Sequence, residues 1–359
     1  MENYYIAALL HVSGIGRAKI DALIQYFGSA QQAWLAPRGD LFLSKILPAR
    51  TCNNLLVMRE QLNVEILKEK WDRQNIRLCS PNDKEYPCLL NHIYESPCLL
   101  FYRGVLPEHD RLIAIVGARK ATAYGRNAAQ YFGTALAESD YWVVSGAARG
   151  IDTAAHRGAL LRGHTIAVLG CGVDIAYPPE NKKLLLEIAE CGAVVSEYLP
   201  GTAPSSGHFP ARNRLISGMS RGVLVVEAGT RSGSLITADR ALEEGRDVYA
   251  IPGSIFSKMS EGTNHLIQQG AKLVQKMDDI LEEDIEARSF SRSCALSPEE
   301  KSVYSLLNYE EPLSLEAMAV QTSVNISDIS YILLQLELRG LVVQHSGHGY
   351  VRSTKEVIE

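Results

Sequence analysis

The sequence predicts a doubly wound α/β protein with a mostly parallel sheet, flanked by a helical N-terminal segment and a winged-helix-like tail. Three observations carry that prediction. Between residues 105 and 287, near-continuous Val/Ile/Leu runs alternate with amphipathic stretches, the pattern of strands buried on both faces and the helices that cover them. Before this region, helical periodicity brackets a glycine-rich turn. After it come three helix-like stretches and a Gly-tipped hairpin, the order of a winged helix.

In chain order, residues 1–104 form the expected helical domain and its connector. Here Ala18, Ile20, Leu23, Ile24 and Phe27 continue one apolar face after the hairpin VSGIG, Val12 to Gly16. A hydrophobic-Gly-hydrophobic-Gly turn at a helix start resembles the helix-hairpin-helix element. It reads equally as a phosphate contact, with Arg17 and Lys19 adjacent, or as a plain closure of two helices. Residues 105–287 hold the predicted strands RLIAIVG, YWVVSG, HTIAVLG, RGVLVVEA and DVYAIPG. Ligands of such sheets collect at the carboxyl ends of the strands, where this sequence places Gly117, Ser145, Gly170, Ser196, Glu227 and Pro252. Residues 288–296 read as a linker. Residues 297–359 read as the winged-helix-like domain, with Pro298 at a helix start and further helices at 316–322 and 327–339.

The chain of 359 residues is long enough for two or three domains. It has no apolar run of spanning length and no basic leader, so a cytoplasmic protein without a membrane span is expected. Seven scattered cysteines show no CxxC spacing, which suggests reduced, mostly buried thiols and neither a disulfide framework nor a zinc ribbon. The formal net charge of -5 is unevenly distributed. Residues 1–104 carry 12 Lys+Arg against 10 Asp+Glu, and residues 105–277 carry 18 against 16. The tail, residues 295–359, carries 4 against 9, and its presumed recognition helix has no cation before Arg339. That charge favours a protein-binding or structural tail over a DNA-reading one.

Several chemistries lack their signatures. There is no GxGxxG after the first sheet strand, no GxxxxGK[ST] and no metal-ligand spacing, so no cofactor, metal or catalytic residue is assigned. Small residues and arginines instead recur at the strand ends. GARK carries Arg119, SGAARG carries Ser145, Gly146, Ala147 and Arg149, and TRSGSLIT carries Ser232, Gly233 and Ser234. A fourth loop, HFPARNR, supplies Phe209, Arg212, Asn213 and Arg214 at a helix start. Turns of this kind suit a ligand with several phosphates, with arginines as cations and helix-start amides at Gly146, Ala147 and Ser232 to Ser234 as neutral donors.

Each residue also has a structural reading. Arg149 pairs with Asp152, Arg214 pairs with Glu227, Phe209 packs instead of stacking on a base, and Asn264 caps the helix that follows it.

The ordered series VGARKATAYG, SGAARGIDTAAHRGAL, GHTIAVLGCGVDIAYPPENKKL, SEYLPGTAP, FPARNRLISGMSRGVLVVEA, SGSLITADRALEEGRDVYAIPGS and GTNHLIQQGA closely resembles the DNA-processing protein A family, also called DprA or Smf. The resemblance spans about Leu112 to Leu273, and the flanking segments match the family's layout. It implies a helical, SAM-like N-terminal domain, an extended Rossmann-like domain that binds single-stranded DNA, a homodimer, delivery of strands to RecA in natural transformation, and no enzymatic activity. It assigns DNA contact to Arg119, Arg149 and the Phe209–Arg214 loop. Ala118 and Ala211 stand where some members carry serine and a basic residue, which implies weaker contacts at those points. The alternative from another class is an enzyme acting on a phosphorylated nucleoside, testable at Ser234 and Glu197.

Overall fold

The computed structural model describes residues 1–281, 297–308, 312–322, 324–338, 341–345 and 349–352, and the chain divides into two units, Met1–Asp279 and Ile280–Glu359. The linker expected at 288–296 and Arg339 lie outside the described residues.

The first unit opens with six helices: α1 Glu2–Leu10, α2 Arg17–Phe27, α3 Ala30–Leu35, α4 Arg38–Leu43, α5 Ala49–Gln61 and α6 Val64–Arg73. Their apolar faces meet around Leu9, Ile20, Leu23, Leu41, Leu55 and Trp71. The ring of Trp71 lies edge-on to Phe101 of the sheet, so this bundle is seated on the sheet by a shared core.

Nine strands form one sheet: β1 Arg77–Cys79, β2 Leu100–Gly104, β3 Leu112–Val116, β4 Trp142–Ser145, β5 Thr165–Val168, β6 Ala193–Ser196, β7 Gly222–Val225, β8 Asp247–Ala250 and β9 Lys272–Leu273. Their order is β1-β2-β6-β5-β4-β3-β7-β8-β9. The two strands before residue 105 pair antiparallel and extend the sheet; all later pairings are parallel. Strands β3 to β7 are buried along almost their whole length, which explains their unbroken Val/Ile/Leu composition.

The covering helices are α7 Ala123–Glu138, α8 Ile151–Leu160, α9 Lys182–Cys191, α10 His208–Met219, α11 Gly233–Glu243 and α12 Glu261–Gln268. Helices α7 and α8 meet backbone to backbone: a Cβ at Gly133 would strike the Ala155 carbonyl, and one at Gly158 the Gln130 carbonyl. Cys52, Cys79 and Cys171 are buried and Cys98 is half-buried, while Cys88 and Cys191 are exposed.

The second unit contains α13 Pro298–Leu306, β10 Leu313–Ser314, α14 Leu315–Thr322, α15 Ile326–Leu338, β11 Val342–His345 and β12 Gly349–Arg352. Strands pair in the order β10-β12-β11, against a core that includes Val303, Met318, Ile329, Leu333 and Leu336. The start of α13 is fixed by a reciprocal cap between Ser297 and Glu300. Three helices and a three-stranded wing thus match the predicted tail.

Candidate nucleic-acid interface

The sheet reverses its direction of winding at β3. From there β4, β5 and β6 extend to one side and β7, β8 and β9 to the other. The loops after β3 and β7 therefore diverge and leave a crevice at the carboxyl edge, where a doubly wound sheet holds its ligands. The crevice has a volume of about 870 Å³ and takes residues from the turns after β3, β4 and β7 and from α10. Its lining includes the cations Arg119, Lys120, Arg212, Arg231 and Lys258 against the carboxylates Asp152 and Glu261. Five positive groups against two negative ones make an anion-attracting surface.

The polar groups expected from SGAARG are mostly internal. Ser145 is fully buried, its hydroxyl donating to the Ile115 carbonyl at 2.6 Å. Amides of Gly146 and Ala148 donate to Asp152 Oδ2, each at 3.2 Å. Ala147 is buried and its carbonyl accepts from Asn181 Nδ2 at 2.9 Å. This turn is thus closed by its own carboxylate, so Ser145, Gly146 and Ala147 shape the site from below and do not present donors to a ligand. The same happens at α7, where buried Glu227 accepts from the Thr122 amide and hydroxyl. At α11 the cap is local and uncharged, Ser232 Oγ accepting from the Ser234 amide. Gly233 is exposed there and Ser234 is buried.

The arginines separate into buried and exposed. Arg119 is exposed and lies over the Phe209 ring, 5.5 Å from its centroid, while Phe209 stacks on Tyr177 at 5.2 Å. That layered Arg-Phe-Tyr wall borders a small recess of about 60 Å³ that also takes in Arg149, Gly146 and Arg212. Arg149 is 66% exposed and paired with Glu180, not with Asp152; that bond holds the Glu180 carboxyl below the usual carboxylate range.

Arg212 is only 4% exposed and donates to the Val168 carbonyl, while its Nε has no hydrogen-bond partner. Burial lowers it to about 10, so the guanidinium remains protonated near neutral pH. Burial also pushes the neighbouring Asp152 carboxyl up, against the pull of Arg212. A Cβ at position 146 would run into the Arg212 guanidinium and displace it. Arg212 is therefore the floor of the recess and not a surface contact.

Arg214, two residues on, faces elsewhere. It is paired with Glu197, not Glu227, in a separate groove of about 650 Å³ with Arg17 and Tyr94. Residues two apart on a helix diverge by about 200°, which is why Arg212 and Arg214 cannot share one ligand phosphate. Asn213 lines the main cleft and donates to the Gly233 carbonyl at 3.3 Å. Asn264 is not a helix cap: its amide brackets Gly253, accepting from the amide and donating to the carbonyl, both at 3.1 Å. That clamp fixes the loop after β8. In the N-terminal hairpin, Arg17 donates to Ser96 and Lys19 to the Gly14 carbonyl, so both cations are folded onto their own chain.

Three cleft cations were not singled out by the sequence motifs. Lys120 and Arg231 adjoin the glycine turns, so their position was the available signal. Lys258 follows β8 in a loop with no motif, and only the pairing of β8 with β7 brings it to the cleft. Ser234 and Glu197, the residues named for a nucleotide-acting enzyme, line different recesses. Among the described residues, no group of three or more His, Cys, Asp or Glu is placed to hold a metal, and no helix is long and apolar enough to cross a membrane.

Comparisons with known proteins place these features in a family. Residues 77–284 match the family described as DNA recombination-mediator protein A, and residues 291–348 match the DprA winged helix domain. The DNA processing protein DprA of Streptococcus pneumoniae is 43% identical over 287 residues, covering 78% of this chain and 98% of that protein. Protein Smf of Synechocystis is 33% identical over 394 residues, covering 98% and 99%. The X-ray structure of the S. pneumoniae protein superposes with a TM-score of 0.67, at 41% identity, over 79% of this chain and 98% of that one. The Helicobacter pylori DNA processing protein A, described as having a unique single-stranded DNA binding mode, superposes with a TM-score of 0.53 at 28% identity, over 59% and 97%.

Proposed function

Because this chain belongs to the DNA-processing protein A family, we propose that it binds single-stranded DNA in the cleft at the carboxyl edge of its sheet. The observation that carries the proposal is the meeting of Arg119, Lys120, Arg231 and Lys258 around the Arg119-Phe209-Tyr177 wall. Exposed cations at the rim take phosphates, and the aromatic wall gives an unstacked base a surface to lie against. Arg149 is a second-rank contact in this reading, since it must leave Glu180 to reach a phosphate. Asn213, Gly233 and Ser232 supply neutral contacts on the α11 side. Sequence preference is weak, because neither phosphates nor ring faces distinguish bases.

In the same reading the protein is a cytoplasmic homodimer that hands strands to RecA and has no catalytic residues. Binding of a labelled oligo(dT) strand across a salt series tests the core of it. Affinity falls with salt at a log-log slope of about -0.7 per phosphate contacted; a salt-independent or absent interaction overturns the assignment. The handover is tested by strand exchange in which RecA must displace a single-strand-binding protein. Acceleration by this chain supports it, and no acceleration removes the handover while leaving strand binding intact.

A further inference from the structure

The winged-helix unit has the outline of a DNA reader and a surface of different chemistry. Helix α15 buries Ile329, Ile332, Leu333 and Leu336 on one side. At 100° per residue, Ile326, Ser327, Ser330, Tyr331, Leu334 and Glu337 fall on the opposite arc, within about 140° of one another. On that arc Tyr331 is 65% exposed, Leu334 51% and Ile326 49%. Three large apolar side chains are thus exposed on one helix face, unlike the single exposed hydrophobics common on any surface.

The charged residues around the patch are acidic. Asp328 and Glu337 are exposed toward its two ends, about 14 Å apart along the helix axis. The helix, ISDISYILLQLEL, contains no lysine, arginine or histidine, and residues 295–359 carry nine acidic side chains against four basic ones. A phosphate backbone would meet like charge here.

We propose that this arc of α15 docks a basic amphipathic helix of a partner protein. Apolar side chains of the partner at i, i+3 and i+4 spacing cover Ile326, Tyr331 and Leu334, and lysines or arginines at either end meet Asp328 and Glu337. Tyr331 is the anchor, as a large, stiff side chain and the most exposed of the three. The docking is independent of strand binding by the sheet cleft.

The test uses the full chain and a labelled peptide of leucines and lysines at helical spacing, with a scrambled peptide of the same composition as control. The helical peptide binds about tenfold more tightly than the scrambled one, equivalent to about 1.4 kcal/mol. Tyr331→Ala/Leu334→Ala weakens it about tenfold, and Asp328→Asn/Glu337→Gln weakens it less and flattens its salt dependence. All four side chains are exposed, so both variants keep the helix content of the parent by circular dichroism, and both keep oligo(dT) binding. Equal binding of the two peptides, or binding indifferent to both variants, overturns the proposal. So does a change of oligomeric state in Tyr331→Ala/Leu334→Ala without peptide, which assigns the arc to a second copy. Loss of duplex-DNA binding in that variant overturns it too, and assigns the arc to DNA.

Discussion

The floor and the rim of the cleft are made of similar residues put to opposite uses. On the floor, Ser145, Asp152 and Arg212 are buried and direct their polar groups to the backbone of neighbouring strands and turns. On the rim, Arg119, Lys120, Arg231 and Lys258 are exposed to solvent. The difference teaches that an arginine in a glycine-rich turn does not announce its role; depth and direction decide whether it supports the site or touches the ligand. Floor substitutions should therefore register in stability, and rim substitutions in affinity and its salt dependence.

The largest effect tests the floor. Arg212→Leu removes the cation beside buried Asp152 and leaves that carboxylate without its compensating charge. A loss of about 3 kcal/mol or more is expected in urea unfolding. A variant as stable as the parent but defective in binding would move Arg212 to the rim. Next in size is the rim. Arg119→Ala/Arg149→Ala should bind oligo(dT) about a hundredfold more weakly, with an unchanged unfolding midpoint and a log-log salt slope shallower by about 0.7 for each phosphate that is no longer neutralised. Unchanged affinity and slope in that folded variant would remove both arginines from the interface.

A third prediction concerns pH and lies beneath the floor. His156 is fully buried in α8, with Nδ1 2.7 Å from Thr165 Oγ1. That hydroxyl gives its proton to the Val143 carbonyl, so Nδ1 carries the ring hydrogen and Nε2 is left bare. Burial lowers the imidazole to about 3. In the unfolded chain it titrates near ~6.5. Between those values the unfolded chain binds a proton that the folded chain rejects, so the stability is complete above the higher value and drains away as pH falls toward the lower. The slope reaches about 1.4 kcal/mol per pH unit. His156→Asn should flatten that slope in stability measured from neutral to acidic pH, whatever it does to the stability at pH 7; an unaltered slope would place the acid sensitivity elsewhere.

The smallest effect sharpens the rim. Glu180→Gln frees Arg149 from an exposed carboxylate and should tighten oligo(dT) binding by about a few-fold at most. In an Arg149→Ala background the gain should vanish, and its persistence would mean that Glu180 repels the strand directly.

The architecture was legible because burial on both faces of a parallel sheet forces unbroken runs such as LIAIV and GVLV. The winged helix was legible from its capping residues and helical periods. The site was legible only to the level of the turns. That Asp152 would occupy the SGAARG amides depends on how α8 leaves the turn, and Glu180 reaches Arg149 from 31 residues away. The divergence of Arg212 and Arg214, by contrast, was available from helical spacing alone once the stretch is taken as helix and not as loop. Lys258 could not have been found without knowing that β8 lies beside β7.

The strand order also sets when the protein becomes competent during its synthesis. Central strand β3 meets its second neighbour, β7, only about a hundred residues later in the chain, and the last rim cation follows β8. A nascent chain that has left the ribosome only as far as α10 holds Arg119, Arg149 and Arg212 but has no opposite wall. On the proposed function, capture of a strand waits until nearly the whole sheet domain has been made, because the long-range contacts that form the cleft close late.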